Sequence, residues 1–141
     1  MKSSFAIAAA IALFVIAAAA PLSAHHSFSA EFDASKCVDV TGTLTKVNYE
    51  NPHSYIFVDV TKPGGKVEEA TFQLSSTTNL KRGGADRPTM MKSVGKTVTV
   101  RGCPSKNGEA NRYAAPWIKL ADGVIQRVGQ DVEGNFGVAE N

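Results

Sequence analysis

Five segments of the chain alternate apolar and polar residues, and this period of two is typical of β-strands with one buried face. Turns rich in Gly, Pro, Asn and Asp separate the segments. The strands predicted in this way are residues 38–49, 53–60, 67–74, 97–102 and 113–120. No internal repeat and no second domain is apparent, so the pattern indicates a single, mostly β domain.

The first predicted strand contains the feature that best distinguishes between the possible all-β architectures. Gly42 lies inside it, and the alternation then slips, since Leu44 is followed by Val47 as the next large apolar residue. A glycine followed by a change of parity indicates a bulge or a sharp bend. Together with an irregular insert at 75–95, containing a short helix near 78–82, it predicts a five-stranded OB-like barrel. A small sandwich or a different meander is the alternative.

The N-terminus predicts export. Lys2 precedes an apolar run at 5–20, and Pro21 leads to a small residue, Ala24. This is the order of a secretory signal peptide. A retained membrane anchor is the alternative, but the run is shorter than the roughly 20 residues that span a bilayer. We therefore expect cleavage after Ala24 and a periplasmic or secreted protein.

These patterns divide the chain into four predicted parts. They are a signal peptide at 1–24, an N-terminal arm at 25–36, the barrel domain at 37–124 and a flexible C-terminal tail at 125–141. Two aromatic residues of the arm, Phe28 and Phe32, are four apart, so one helical turn brings them to one side. We expect this pair to fix the arm to the domain.

The charge of the mature chain excludes some partners. Loss of Lys2 from 15 basic residues leaves 14 basic against 13 acidic side chains. Such a balance creates no strong field for nucleic acid or an anionic membrane. We expect a periplasmic protein or a small ligand as the partner, with no nucleic acid and no membrane span after cleavage.

The two cysteines predict a disulfide. Cys37 opens the first strand and Cys103 ends the fourth, and these strands are antiparallel neighbours in an OB-like barrel. Parity predicts that both side chains point outward on the same surface. In an oxidising compartment the bond persists, and closing so long a loop stabilises the fold by on the order of 3–4 kcal/mol. Two free thiols are the alternative, and without CxxC spacing a redox-active pair is not expected.

The three histidines predict a metal site. After cleavage His25 is the first residue, so its amino and ring nitrogens can chelate one metal, and a second imidazole, His53, completes a histidine brace. His26 is an alternative ligand or a neighbour of the site. Flat arrangements of nitrogen ligands favour Cu(II). The competing interpretation is that His25 and His26 are solvated and that His53 caps the turn after Pro52.

A second candidate surface is one face of the predicted second and third strands. It presents Tyr55, Phe57, Thr71 and Gln73, the position at which OB-folds often bind oligonucleotides or sugars. Basic side chains that are able to supply charge are Lys81, Arg82, Arg87 and Arg101. Because the chain is near neutral and exported, a protein, peptide or glycan fits better than nucleic acid.

No constellation of catalytic residues emerges from the sequence. We therefore expect a binding or accessory protein with a possible copper ligand, and not an enzyme. An OB-like interaction module with structural histidines is the alternative, and a copper oxidase of the histidine-brace type is the third hypothesis.

Several motifs occur together in a way that resembles a known family. They are Ala24-His25-His26-Ser27-Phe28, Glu31-Phe32-Asp33, Gly42, Asn51-Pro52-His53 and Leu80-Lys81-Arg82-Gly83. From His25 to about Gly123 the chain resembles an uncharacterised family of small exported bacterial proteins, a domain of unknown function. The resemblance implies cleavage before the paired histidines and one β-rich domain. It implies no activity, substrate or cofactor.

The chain departs from this family pattern at three places. Gly84 stands where a tryptophan commonly follows the arginine-glycine pair, and Gly95-Lys96 replaces a Gly-Asp pair before the fourth strand. The pair Cys37 and Cys103 is not a general feature of the family.

Overall fold

The computed structural model of the protein describes residues 28–134. The predicted signal peptide, His25 and His26 therefore lie outside the described residues. The helices are α1 (Phe28–Glu31), α2 (Thr77–Arg82) and α3 (Arg87–Met91), with a 3-10 turn at Ala34–Lys36. The strands are β1 (Val38–Asn48), β2 (Tyr55–Thr61), β3 (Val67–Gln73), β4 (Thr97–Pro104), β5 (Arg112–Ala114), β6 (Trp117–Lys119) and β7 (Ile125–Arg127). No helix in this range is long and apolar enough to cross a membrane.

The strands form the predicted barrel. Their order is β1-β2-β3-β5-β4, and a further pairing of β1 with β4 closes the sheet. The β3–β5 pair is parallel, whereas β1–β2, β2–β3, β1–β4 and β4–β5 are antiparallel. The all-β, OB-like prediction is confirmed.

Strand β1 closes the barrel because it serves two neighbours. Residues 38–43 pair with β4, and residues 43–48 pair with β2. Gly42 lies just before the change of partner, and the register with β2 shifts between Leu44 and Lys46. A Cβ atom on Gly42 would overlap the Asp59 carbonyl oxygen and lie 2.8 Å from Val58 Cγ1. The predicted bend is confirmed, and close approach of β2 is the reason that glycine occupies it.

The core fills the barrel and extends under the insert between β3 and β4. Side chains from the barrel strands that are almost completely buried are Leu44, Ile56, Val58, Phe72, Val98, Val100 and Ile118. Leu80 of α2 and Met90 of α3 join the same cluster. The two helices thus close one end of the barrel.

The predicted short helix near 78–82 is α2, and α3 was not predicted. Both begin with a side-chain cap: Ser76 accepts from the Asn79 amide and Asp86 accepts from the Thr89 amide. Asp86 is followed within two residues by a proline in the first turn. This order of residues is typical of a helix start, so the sequence contained the signal for α3.

The structure corrects the predicted fifth strand and the predicted tail. Residues 113–120 are not one strand, because the chain breaks at Ala115 and Pro116 between β5 and β6. Strand β7 pairs with β6, and Val128 is buried in the main core. The fold therefore extends beyond residue 124, through the first part of the segment that we expected to be a flexible tail.

The N-terminal arm is held against the barrel, as predicted for its aromatic pair. The rings of Phe28 and Phe32 lie 5.5 Å apart, and Phe32 packs on Cys103 and Ala114. The Asp33 amide donates to the Pro104 carbonyl. The arm thus continues the sheet beyond the end of β4.

The Cys37–Cys103 disulfide is present, and this prediction is confirmed. The expected exposure of both cysteines is wrong, because Cys103 is fully buried. Its side chain does leave the main core, but Phe32 of the arm covers it. The alternation along β4 correctly predicted the face of the sheet on which Cys103 lies, but it did not predict that the N-terminal arm covers this face. Val38, predicted to face inward, is similarly half-exposed at the open end of β1.

Removal of the disulfide should destabilise the protein strongly. The bond joins residues 66 apart, and the chain-entropy model gives about 4 kcal/mol for a loop of this length. We expect the double variant Cys37→Ala/Cys103→Ala to lose that much free energy of unfolding in urea denaturation. Wild-type protein under dithiothreitol is the control and should fall by a similar amount. An unchanged urea midpoint for both the double variant and the reduced wild type would show that the disulfide does not stabilise the fold.

Gly42→Ala should destabilise the barrel at the bend of β1. The new methyl group would overlap the backbone of Asp59, so the clash is relieved only if strands β1 and β2 move apart. Overpacking of this kind costs about 1–3 kcal/mol. Thr43→Ala, at the exposed neighbouring position, is the matched control and should change the free energy of unfolding by less than about 0.5 kcal/mol. Equal effects of the two substitutions would contradict a steric role for Gly42.

Candidate functional site

His53 lies at the start of β2, at the end of a turn that is tied to α2. Asn51 Oδ1 accepts from the amide and the hydroxyl of Thr77, at 3.1 and 3.0 Å. The buried Ser54 hydroxyl donates to the Glu50 carbonyl at 3.1 Å. These bonds hold the residues on both sides of His53, so the position of its ring is determined by the fold.

The His53 ring is oriented by a backbone carbonyl. Its Nδ1 lies 3.2 Å from the Leu74 carbonyl oxygen. A carbonyl oxygen only accepts, so Nδ1 is the donor in this contact, and Nε2 is the ring nitrogen left for another partner. No hydrogen bond to Nε2 occurs within residues 28–134. A ring nitrogen that donates to a carbonyl while the other nitrogen is open is the usual arrangement of a metal-binding histidine.

His53 lines a small pocket, which we call the His53 pocket. Its volume is about 150 Å³, and Phe28, Gln73, Ala115 and Gly129 are among its other lining residues. This volume corresponds to about five water molecules at liquid density and is smaller than pockets for drug-sized ligands. The pocket therefore suits an ion or one small ring.

The first described residue of the arm reaches the same pocket. Phe28 lies three positions after His25 in sequence, and it lines the His53 pocket directly. The sequence alone did not show that the first described residue of the arm and His53 meet at one pocket.

A second cavity, which we call the arginine pocket, adjoins the first. Its volume is about 590 Å³. Ser75, Gly129 and Gln130 line both cavities, while Arg82 and Arg127 line only the second. It lies between α2 and the chain that follows β7.

Sequence reasoning missed the arginine pocket because the residues after 124 were assigned to a tail. A signal was available in Asp122-Gly123, which is a common hairpin turn, followed by apolar residues at 124, 125 and 128. That order indicates one more strand, and the strand brings Arg127 opposite α2.

The four residues of the predicted ligand face do share one face. Tyr55 pairs with Gln73, and Phe57 pairs with Thr71. All four are partly buried, and Lys46 Nζ lies 5.4 Å from the centre of the Phe57 ring. Only Gln73 of the four also lines the His53 pocket.

The four basic residues proposed as a charge source do not come together. Arg82 lines the arginine pocket, and Lys81 is exposed beside it on α2. Arg87 lies over the Tyr49 ring, with Cζ 5.4 Å from its centre. Arg101 donates to both carboxylate oxygens of Glu133, at 2.9 and 2.7 Å. Arg87 and Arg101 therefore serve the structure of the domain.

Two groups away from the pockets have shifted pKa values with structural causes. The hydrogen bonds from Arg101 lower the pKa of Glu133. Burial raises the pKa of Tyr49, whose hydroxyl donates to the Ala85 carbonyl at 2.7 Å. Tyr49 therefore stays protonated and links the end of β1 to the connection between α2 and α3.

Within residues 28–134 no three His, Cys, Asp or Glu side chains come together as a metal site. Both cysteines are used in the disulfide. Of the three predicted metal ligands, only His53 lies within the described residues.

Comparison with known proteins gives one match. Residues 11–114 match the model of a family described as a family of unknown function, DUF6152. No curated protein matches the chain, and no solved structure does. Because the match covers well over half of the chain, the protein belongs to the family of unknown function DUF6152.

Proposed function

We propose that the protein is an exported periplasmic binding or accessory protein, and not an enzyme, that holds one Cu(II) ion. In this proposal the mature chain begins at His25. The amino nitrogen and the ring of His25 chelate the metal, and His53 Nε2 completes a set of three nitrogens. His26 is an alternative ligand or lies beside the site.

The observation that carries the proposal is the state of the His53 ring. Its Nδ1 donates to the Leu74 carbonyl, and its other nitrogen is open within the described residues. A structural histidine at a turn commonly uses both nitrogens or faces solvent. Here the ring is partly buried, held by this hydrogen bond and placed at a pocket of about 150 Å³.

The length of the chain supports His25 as the partner. Phe28 is fixed at the His53 pocket and by its contact with Phe32. Three residues span at most about 10 Å, so the proposal requires the chain from Phe28 to reach no farther than this. Metal–nitrogen bonds are about 2 Å, and the reach allows them.

The chemistry of the ligands selects copper. Three neutral nitrogen ligands without a thiolate or carboxylate suit Cu(II), which also binds most strongly among the first-row divalent ions. The hydrogen bond to Leu74 fixes the orientation of the His53 ring. A fixed ring favours a single tight site.

Copper binding to the mature protein is the first test. We expect protein purified from periplasm to have the mass of a chain that starts at His25 and to bind one Cu(II). His53→Ala should weaken binding by at least about 100-fold, because even neighbours of metal ligands contribute 10- to 100-fold. Isothermal titration calorimetry with Cu(II) measures this.

Two controls separate the ligands from their surroundings. Gln73→Ala alters the same pocket without removing a nitrogen ligand of the brace, and should leave copper affinity within about three-fold. A mature chain with one extra glycine before His25 loses the chelating amino group and should weaken binding as His53→Ala does. Weak copper binding that His53→Ala leaves unchanged would refute the proposal.

A second candidate function uses the face formed by Tyr55, Phe57, Thr71 and Gln73. The specific observation in its favour is that the two aromatic residues stand on one strand, each opposite a polar partner on the next. As an interaction module, the protein binds a protein, peptide or glycan there, and the histidines are structural. Binding on this face is independent of copper, which distinguishes the two functions.

A further inference from the structure

One end of the barrel combines apolar and basic side chains that are open to solvent. We call it the hairpin end, and it consists of residues 91–96, from the last residue of α3 to the start of β4, and residues 119–125, where β6 turns into β7. The Ala121 amide donates to the Ser93 hydroxyl at 3.1 Å, so the two segments lie side by side. Neither segment lines the His53 pocket or the arginine pocket.

The hairpin end holds three of the five large apolar side chains that are exposed within residues 28–134. Met91 is 43% exposed, Val124 48% and Ile125 49%. The other two, Val38 and Val67, stand singly at the starts of β1 and β3. Single exposed apolar side chains are normal on a protein surface, whereas a group of them marks a site of interaction.

The apolar residues of the hairpin point to both of its faces. Ile125 is the cross-strand partner of Lys119, so these two side chains share one face. Val124 continues the register opposite Leu120, whose amide donates to the Val124 carbonyl at 2.9 Å, and consecutive residues point to opposite faces. All residues at 121–125 are exposed. The hairpin thus projects into solvent with apolar side chains on both sides.

Lysines accompany these apolar residues. The two segments carry Lys92, Lys96 and Lys119 against one acidic residue, Asp122, and all four are exposed. Lys92 lies near enough to Asp86 to interact with its charge. Lys96 and Lys119 form no ion pair with any residue of the described part of the chain. The near-neutral charge of the whole protein therefore conceals a local excess of positive charge at this end.

The charge and the shape of the hairpin end select its occupant. Two copies of the chain that met symmetrically through this end would bring their lysines together, and like charges oppose such a contact. A partner protein would have to offer an apolar recess with an acidic rim to a projecting hairpin. An anionic lipid surface offers negative headgroups above an apolar layer, and it requires no complementary recess.

We propose that the hairpin end docks the protein on an anionic lipid surface. Met91, Val124 and Ile125 enter the boundary between the headgroups and the acyl chains. The ammonium groups of Lys96 and Lys119 stay at the lipid phosphates while their apolar stems lie along the layer below. The proposed copper ligands take no part in this contact.

Vesicle flotation of the mature chain in the presence of EDTA tests the proposal. This chain lacks the apolar run at 5–20, and the chelator removes copper, so failure of the copper proposal cannot affect the result. The vesicles contain phosphatidylcholine alone or with an equal amount of phosphatidylglycerol. We expect binding to the anionic vesicles to be about ten-fold tighter, since each lysine near such a surface strengthens binding roughly five-fold. High salt should weaken it by screening.

Substitutions locate the contact, each with a matched control. Ile125→Ser should weaken binding by about five-fold, because the exposed half of the side chain no longer enters the layer. Val67→Ser removes a similarly exposed apolar side chain from the start of β3 and should leave binding unchanged. Lys119→Gln should also weaken binding by about five-fold. Lys36→Gln removes the same charge from the arm, at the other end of β4, and should have little effect.

Three results would overturn this inference. The first is absence of flotation with anionic vesicles at low salt. The second is equal weakening by the hairpin-end variants and their controls, which would show a general attraction and not a docking surface. The third is a wild-type dimer in light scattering that Ile125→Ser converts to a monomer, since the hairpin end would then join two copies. All four substituted residues are exposed, so thermal melts of the variants should match the parent.

Discussion

Barrel closure depends on the approach of two backbones at Gly42. Strand β1 pairs first with β4 and then with β2, and this exchange is possible only where no side chain separates β1 from Asp59. If the strands could not approach, the sheet would stay open. The His53 pocket draws on β3, β5 and the chain after β7, which the closed barrel holds together. The geometry of the candidate site thus rests on a contact on another part of the barrel.

Much of the fold was predictable because local pattern and tertiary structure agree over β1 to β4. Alternation identified the inward residues of β2 and β3, and the parity slip after Gly42 identified the bulge. The prediction of strands failed where the local sequence does not determine which strands a segment pairs with. Pro116 divides an apolar segment into two strands that both pair with β4, while β5 also pairs with β3 and β6 with β7. Alternation alone does not reveal such a division.

The candidate site was predictable only in part. His53 was identified from its place after Asn51-Pro52, and the disulfide from strand order. The pocket around His53 was not predictable, since it needs residues from five separate segments of the chain. Cys103 illustrates the same limit: its face was right, but its burial depends on Phe32, 71 positions earlier in the numbering.

The anchored arm has a consequence for how a ligand at the start of the mature chain meets the barrel. Phe32 and the disulfide hold the arm in place, so residue 25 is separated from a fixed point, Phe28, by a tether of three residues. A short tether gives the group that it carries an effective concentration in the millimolar range or above. In the proposed copper site, much of the entropy cost of bringing its two histidines together would therefore be met when the domain folds, before a metal ion arrives.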